Sequence, residues 1–380
     1  MRTLPRFITV PDLMRILLGW GAVVALLLAH PLLVAPVPAP LLVLALGMLV
    51  GVILVCAFGV VKQAEALAHR LGDPYGSLVL TLSIVLIEVV LISAVMLGPG
   101  EHATIARDSV MAVSMIILNL VIGLALLLGG IRRPGMAHNR TGTSTYLALL
   151  VVLSALAFGL PALVGDDGAY TTAQAVPIVI LTLLLYGFFL FRQTGAQAAD
   201  FTEVDDRAPA VKPISADDAA PGIGSILHAH RTEVLTRLGL LVITVVPIVL
   251  LSHDMAALLD DGLGRLGAPA ALAGALIAAI VFLPESITAI RAALGGEIQR
   301  VVNLCHGALV STVGLTIPAV LLIGMLTGQH VILAESPADL MLLGVTLLLS
   351  VTTFASKRVT AAHGAAHLAL FAVYAVVLFS

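Results

Sequence analysis

Two glutamates stand alone in apolar surroundings: Glu88 within S-I-V-L-I-E-V-V-L-I and Glu285 within A-I-V-F-L-P-E-S-I. A carboxylate near the centre of a bilayer costs about 2.5 to 3.5 kcal/mol even on insertion scales, so its presence points to binding or proton transfer. The plain alternative is that each acid hydrogen-bonds a neighbouring helix in its protonated form. Together, two such groups suit a hard cation or protons. Calcium takes six to eight oxygens from carboxylates, carbonyls, hydroxyls and water.

Other oxygens recur at related distances. Twenty-six residues after each glutamate comes a serine, Ser114 and Ser311. Asn119, Asn303, Thr312 and Thr316 lie on the same stretches, and each could complete an oxygen shell or serve as interhelical glue. Pro284 has no N–H, which leaves the Ile280 carbonyl free beside Glu285, and Pro318 does the same for Gly314; either proline could instead only kink its helix. Ser77 and Thr81 precede Glu88 by 11 and 7 residues and return to nearly one azimuth, forming a polar stripe unless they bond back to their own helix. His306 could pass protons or be an ordinary interfacial histidine.

Several chemistries are excluded. His363 and His367 are spaced i, i+4 but lack the glutamate of H-E-x-x-H, and no P-loop or G-x-S-x-G motif is present. The two cysteines, Cys56 and Cys305, sit in apolar segments and read as small buried hydrophobes rather than a disulfide or metal site. With a net charge of -3 and 4% aromatic residues there is no nucleic-acid footprint. An enzyme is not expected, and neither is a cofactor.

The elements that must position these residues are membrane helices. The chain is 60% hydrophobic and 11% charged, with mean hydropathy +1.11, whereas soluble domains carry about 25% charged residues. Apolar runs long enough to cross about 30 Å of hydrocarbon fall at 12–34, 39–61, 75–98, 107–130, 144–165, 171–192, 234–253, 268–294, 300–326, 337–356 and 360–380. The first follows Arg2 and Arg6 without a clear A-x-A cleavage site and reads as a retained helix. These eleven spans predict an all-α polytopic protein.

Placing the N-terminus in the cytoplasm puts 17 of the 19 Lys and Arg residues on that side, with Arg107 and Arg265 outside. The chain is then multi-pass in the plasma (inner) membrane, with its C-terminus outside. The stretch from Gln193 to Arg231 carries Glu203, Asp205, Asp206, Asp217 and Asp218 with several prolines and glycines, and predicts an acidic cytoplasmic linker. It separates an N-terminal helix (1–36) and a five-helix unit (37–192) from a second five-helix unit (233–380), the linker being 193–232. Units with an odd number of spans sit in opposite orientation, which is the inverted-repeat plan of secondary transporters. The recurring glutamates, the recurring serines and the later glycines Gly129-Gly130 and Gly324 support that pairing.

At these residues the chain resembles the cation/proton exchanger family of the calcium/cation antiporter superfamily, especially its bacterial calcium/proton members. The resemblance rests on A-E-A-L-A-H-R-L-G-D-P-Y-G-S leading to Glu88, and on F-L-P-E-S-I-T-A-I-R-A-A-L, Q-R-V-V-N and G-L-T-I-P around Glu285. It implies that Glu88 and Glu285 bind the transported cation. The wider family writes G-N-x-x-E before each glutamate, where this chain has Ile84-Val85 and Val281-Phe282, so two amide ligands are missing. The expectation is an antiporter exchanging calcium for protons, its partners being inorganic cations, protons and the lipid bilayer. The rivals are sodium/proton or potassium/proton exchange and, in another class, a non-transporting receptor or a membrane-embedded enzyme.

Overall fold

The computed structural model describes residues 9–33, 35–71, 75–97, 103–204, 230–269 and 271–379, leaving aside the side chains at 68–69, 75–81, 84, 91 and 94. The expected polar stripe at Ser77 and Thr81 and the linker residues Asp205, Asp206, Asp217 and Asp218 therefore lie outside the described residues.

The membrane helices are α1 (Val10–Leu32), α2 (Ala39–Leu71), α3 (Tyr75–Met96), α4 (Ile105–Arg132), α5 (Arg140–Val164), α6 (Thr172–Thr194), α7 (Arg231–Leu266), α8 (Ala271–Gly295), α9 (Ile298–Thr327), α10 (Pro337–Ala355) and α11 (Ala361–Leu378). Ten are long and apolar enough to cross a bilayer, and α3, with 22 residues, makes the eleventh. Many large apolar side chains face outward, Leu28, Leu163 and Leu326 among them, as a lipid solvent requires.

Local chemistry sets the helix ends. Thr9 with Asp12, Thr171 with Gln174 and Thr360 with His363 form reciprocal capping boxes at α1, α6 and α11, while the Ser336 hydroxyl accepts the Asp339 N–H ahead of Pro337 at α10. Gly267 (φ 62°) and Gly328 (φ 72°) close α7 and α9 in the left-handed conformation that favours glycine.

Two expected boundaries move outward by ten residues or more. α2 runs to Leu71 rather than residue 61, and α7 runs to Leu266 rather than 253. Both extensions are polar but helix-forming: Lys62, Gln63, Glu65 and Arg70 continue α2, and Asp254, Asp260 and Asp261 continue α7.

The two halves interlock. α2 packs along α7, α3 against α9, and α8 against α4, so each glutamate helix rests on the other half. α4 and α9 each depart from α geometry at matching places, with π-helical segments at Ile116–Val121 and Thr312–Thr316. These begin 28 residues after Glu88 and 27 after Glu285. In α9 the cause is visible, because Pro318 gives no N–H to Gly314 inside that segment.

The loops tie the halves at both ends. On the face carrying most basic residues, β1 (Met136–Ala137) pairs antiparallel with β2 (Arg358–Val359), joining the α4–α5 and α10–α11 loops. On the opposite face the Ile332 N–H bonds the Ala103 carbonyl, and the Leu333 and Ala334 amides bond Gly168. The two basic exceptions are accounted for there: Arg107 pairs with Asp108 at 2.8 Å and Glu335 at 3.6 Å, and Arg265 pairs with Asp261 at 2.7 Å.

Candidate functional site

Glu88 is the fourteenth of the 22 residues of α3, and Glu285 the fifteenth of the 25 of α8, so each sits near the middle of its span. Both are buried, at 3% and 7% exposure. The Thr312 hydroxyl donates to Glu88 Oε2 at 2.5 Å, from the π segment of α9 in the other half. Glu88 Oε1 and both oxygens of Glu285 find no partner outside their own residues. Three of the four carboxylate oxygens are thus left without hydrogen bonds in a low-dielectric interior, where an unpaired charge is costly.

Glu285 borders a narrow crevice of about 10 Å³, roughly the space of one water molecule. Its walls include Ile53, Ala57 and Val61 of α2, Ile248 of α7, and Ile87, the residue preceding Glu88. One face of α9 serves both acids: Cys305 lies within electrostatic range of Glu285, and Thr312, two turns further on, holds Glu88. Glu65 of α2 is also close enough for its charge to act on Glu285. Pro284 lies within α8 and leaves the Ile280 carbonyl without its usual intrahelical donor.

The remaining candidates are placed differently from one another. Ser311 accepts a hydrogen bond from the Tyr186 hydroxyl at 2.9 Å, and Ser114 donates back to Val110 of its own helix at 2.7 Å. Asn119 gives its amide to Thr346 at 2.8 Å and to the Met115 sulfur at 3.2 Å, and its carbonyl oxygen meets His367 at 3.2 Å; none of these bonds is to Glu88 or Glu285. Asn303 is near the basic face, bonded to Gln299 and to the Phe201 carbonyl. Thr316 is buried with its hydroxyl unpartnered. His306 is fully buried inside α9 rather than interfacial. His363 caps α11, while His367 points into the core.

Sequence reasoning missed a polar stripe on α10, Thr346, Ser350 and Thr353, all fully buried. Its i, i+4, i+7 spacing is readable in T-L-L-L-S-V-T-T. It also left unassigned the Asp108–Arg107–Glu335 group, which joins the first turn of α4 to the loop before α10.

The described residues form eleven membrane helices in two halves, each half with an acid buried near the middle of one helix, an arrangement suited to a secondary transporter for cations. The chain belongs to the sodium/calcium exchanger protein family, which matches residues 41–195 and 236–380. It is 35% identical over 337 residues to y4hA of Sinorhizobium fredii, described as an ionic transporter, covering 88% of this chain and 87% of that one. It is 34% identical over 329 residues to the sodium-potassium/proton antiporter ChaA of Escherichia coli, covering 86% and 87%. Among solved structures, native YfkE superposes with a TM-score of 0.70 at 17% identity, covering 97% of this chain and 99% of that one. The H+/Ca2+ exchanger CAX superposes with a TM-score of 0.66 at 15% identity, covering 97% and 89%. At those identities the likeness concerns the fold. The chain is a multi-pass cation antiporter and not an enzyme.

Proposed function

We propose that the protein exchanges calcium for protons across the inner membrane by alternating access, with Glu88 and Glu285 as the shared binding groups. The observation that carries this reading is the set of three unpartnered carboxylate oxygens in the middle of the bundle. Carboxylate oxygens without hydrogen-bond donors are relieved either by protons or by a cation, and a divalent ion carries enough charge to compensate two carboxylates. Thr312 holds one acid in place, Pro284 frees the Ile280 carbonyl in the turn before Glu285, and the crevice beside Glu285 has space for about one water. Ser114 and Ser311 retain lone pairs for a cation despite their present bonds. The basic face is assigned to the cytoplasm by charge bias.

Exchange of sodium or potassium for protons is the second reading. It is favoured by the relative ChaA and by the missing Gly-Asn pairs, which remove two amide oxygens from the site. Proteoliposomes with an imposed pH gradient separate the two readings. Calcium added alone should dissipate the gradient more strongly than sodium or potassium at equal ionic strength. Dissipation by the monovalent ions only would transfer the assignment to the second reading, and none by any ion would end both.

A further inference from the structure

We propose that a second buried polar column, built by α10, α11, α4 and α9, conducts protons between the basic face and the middle of the bundle, apart from the two glutamates. This rests on the proton-coupled reading above. On α10, Thr346, Ser350 and Thr353 line one face, each at 0% exposure. Thr353 Oγ1 meets His367 Nε2 at 3.3 Å, His367 Nδ1 meets Asn119 Oδ1 at 3.2 Å, and the Asn119 amide donates to Thr346 Oγ1 at 2.8 Å. α11 can bring His367 this close because Gly364 and Gly130 let its backbone press against that of α4.

Towards the basic face the column continues in two further histidines. The His306 ring lies 6.3 Å from Tyr146 in a stacked arrangement and 5.1 Å from Phe354 edge-on. His138, from the α4–α5 loop, packs on Phe354 at 5.3 Å and bonds the Phe354 carbonyl at 3.1 Å. Neither ring nitrogen of His306 completes a hydrogen bond, although the Val302 carbonyl lies one turn back. Ser350 Oγ and His138 Nδ1 are likewise unpartnered and buried. Each such group costs about 1–3 kcal/mol, and the concentration of four of these atoms around one helix stripe sets this region apart from a purely packing network. Bridging water would satisfy these groups and link the donors and acceptors into one chain, which is the state the proposal requires.

The chemistry selects protons over metal ions. The groups facing the three histidines are Tyr146 from α5, His363 from α11 and Arg140 at the start of α5, and no carboxylate is among those acting on them. Among the described residues no cluster of three His, Cys, Asp or Glu side chains is arranged for a metal ion. A neutral imidazole accepts a proton from water on one nitrogen and releases one from the other to the next water, so the ring ends neutral and nothing is oxidised. The inner end, Asn119, is at the middle of α4, in the π segment that packs against the Glu285 helix.

The test compares two fluxes in proteoliposomes of the full chain, using calcium-45, and sodium-22 if the wild type prefers sodium. Thr353→Val and His306→Phe should slow pH-driven uptake by about 10-fold or more, as loss of a proton-transferring group does. Cation self-exchange at equal pH on both sides, which moves no net proton, should stay close to wild type in the same vesicles. Thr353→Ser, which keeps the hydroxyl, should behave as wild type in both. Equal loss of both fluxes in Thr353→Val would make the column structural, and unchanged pH-driven uptake would make it unused; either result overturns the proposal. A wild type with no proton-driven flux at all would end the proposed function and the column with it. If Glu88→Gln kept full exchange while the column variants lost only the pH-driven flux, the glutamate reading alone would fail.

Discussion

Glu88 and Glu285 occupy corresponding places in the two halves, yet their surroundings differ. The residue 27 positions after Glu285 is Thr312, which reaches across to hold Glu88. The residue 27 positions after Glu88 is Met115, whose sulfur accepts from Asn119 instead, and Glu285 is left beside an apolar crevice with both oxygens free. The two halves therefore share π segments and buried acids at similar offsets, but where one presents a hydroxyl donor the other has a thioether. The first acid is held by a side chain of the opposite half, whereas the second has no side-chain hydrogen bond. On the proposed reading, a cation or proton at Glu285 displaces no side-chain hydrogen bond, whereas at Glu88 it competes with Thr312.

The strongest way to break this comparison is to remove each charge. Glu88→Gln and Glu285→Gln should each lower exchange by about 100-fold or more while the protein still elutes as a folded species, because an amide keeps the shape but takes neither role. Native-rate transport by either variant would make that glutamate structural. Thr312→Val comes next. Loss of a hydrogen bond to an ionisable group is worth about 1.5–3 kcal/mol, so apparent cation affinity should weaken by about 10-fold or more. Met115→Thr should have a smaller effect, since the Met115 sulfur meets Asn119 and Thr346 and neither glutamate. If Thr312→Val changes only thermal stability, the asymmetry between the halves is one of packing.

Smaller effects belong to the loops. Glu203 accepts the backbone N–H groups of Gln299 at 3.2 Å and Arg300 at 3.0 Å, capping α9 from the start of the linker. Burial, together with nearby Glu297, outweighs these bonds and holds its carboxyl above the ordinary range. Glu203→Ala should cost about 1 kcal/mol, the usual worth of an N-cap, measurable as a lower Tm in detergent. On the opposite face, burial pushes Glu335 up to about 8, with Asp339 and Asp108 adding to the rise and Arg107 opposing it. Because the folded value lies above the ordinary one, stability from this group is complete below about pH 4.5 and is lost as pH climbs through 8. Glu335→Gln lacks that loss, so its Tm should gain on the wild type as pH rises from 6 to 9. A difference that stays flat across that range would place the proton elsewhere.

Which features were legible from sequence follows from the physics of each. An isolated carboxylate in an apolar run is an anomaly that needs no neighbours to be noticed, and this exposed Glu88 and Glu285. Span number followed from run length. The ends of α2 and α7 did not, because hydropathy stops at Lys62 or Asp254 while helix formation continues through them. Partner choice was also hidden. The matching offset pointed to Ser311, but a π turn begins at Thr312, and rotation of the helix aims Thr312 at Glu88 and Ser311 at Tyr186. Asn119 was reachable as a polar residue but not as a partner of His367, since that contact joins residues 248 positions apart.

Competition between cation and protons for Glu88 and Glu285 is tested most directly by adding calcium to the purified protein in unbuffered detergent while recording pH and bound metal. The account predicts that calcium entry releases protons, that apparent affinity weakens between about pH 8 and about pH 6, and that both effects disappear in the Glu88→Gln, Glu285→Gln double variant. Calcium binding of undiminished affinity across that range, with no proton released, would contradict a shared site even in a protein that moves calcium.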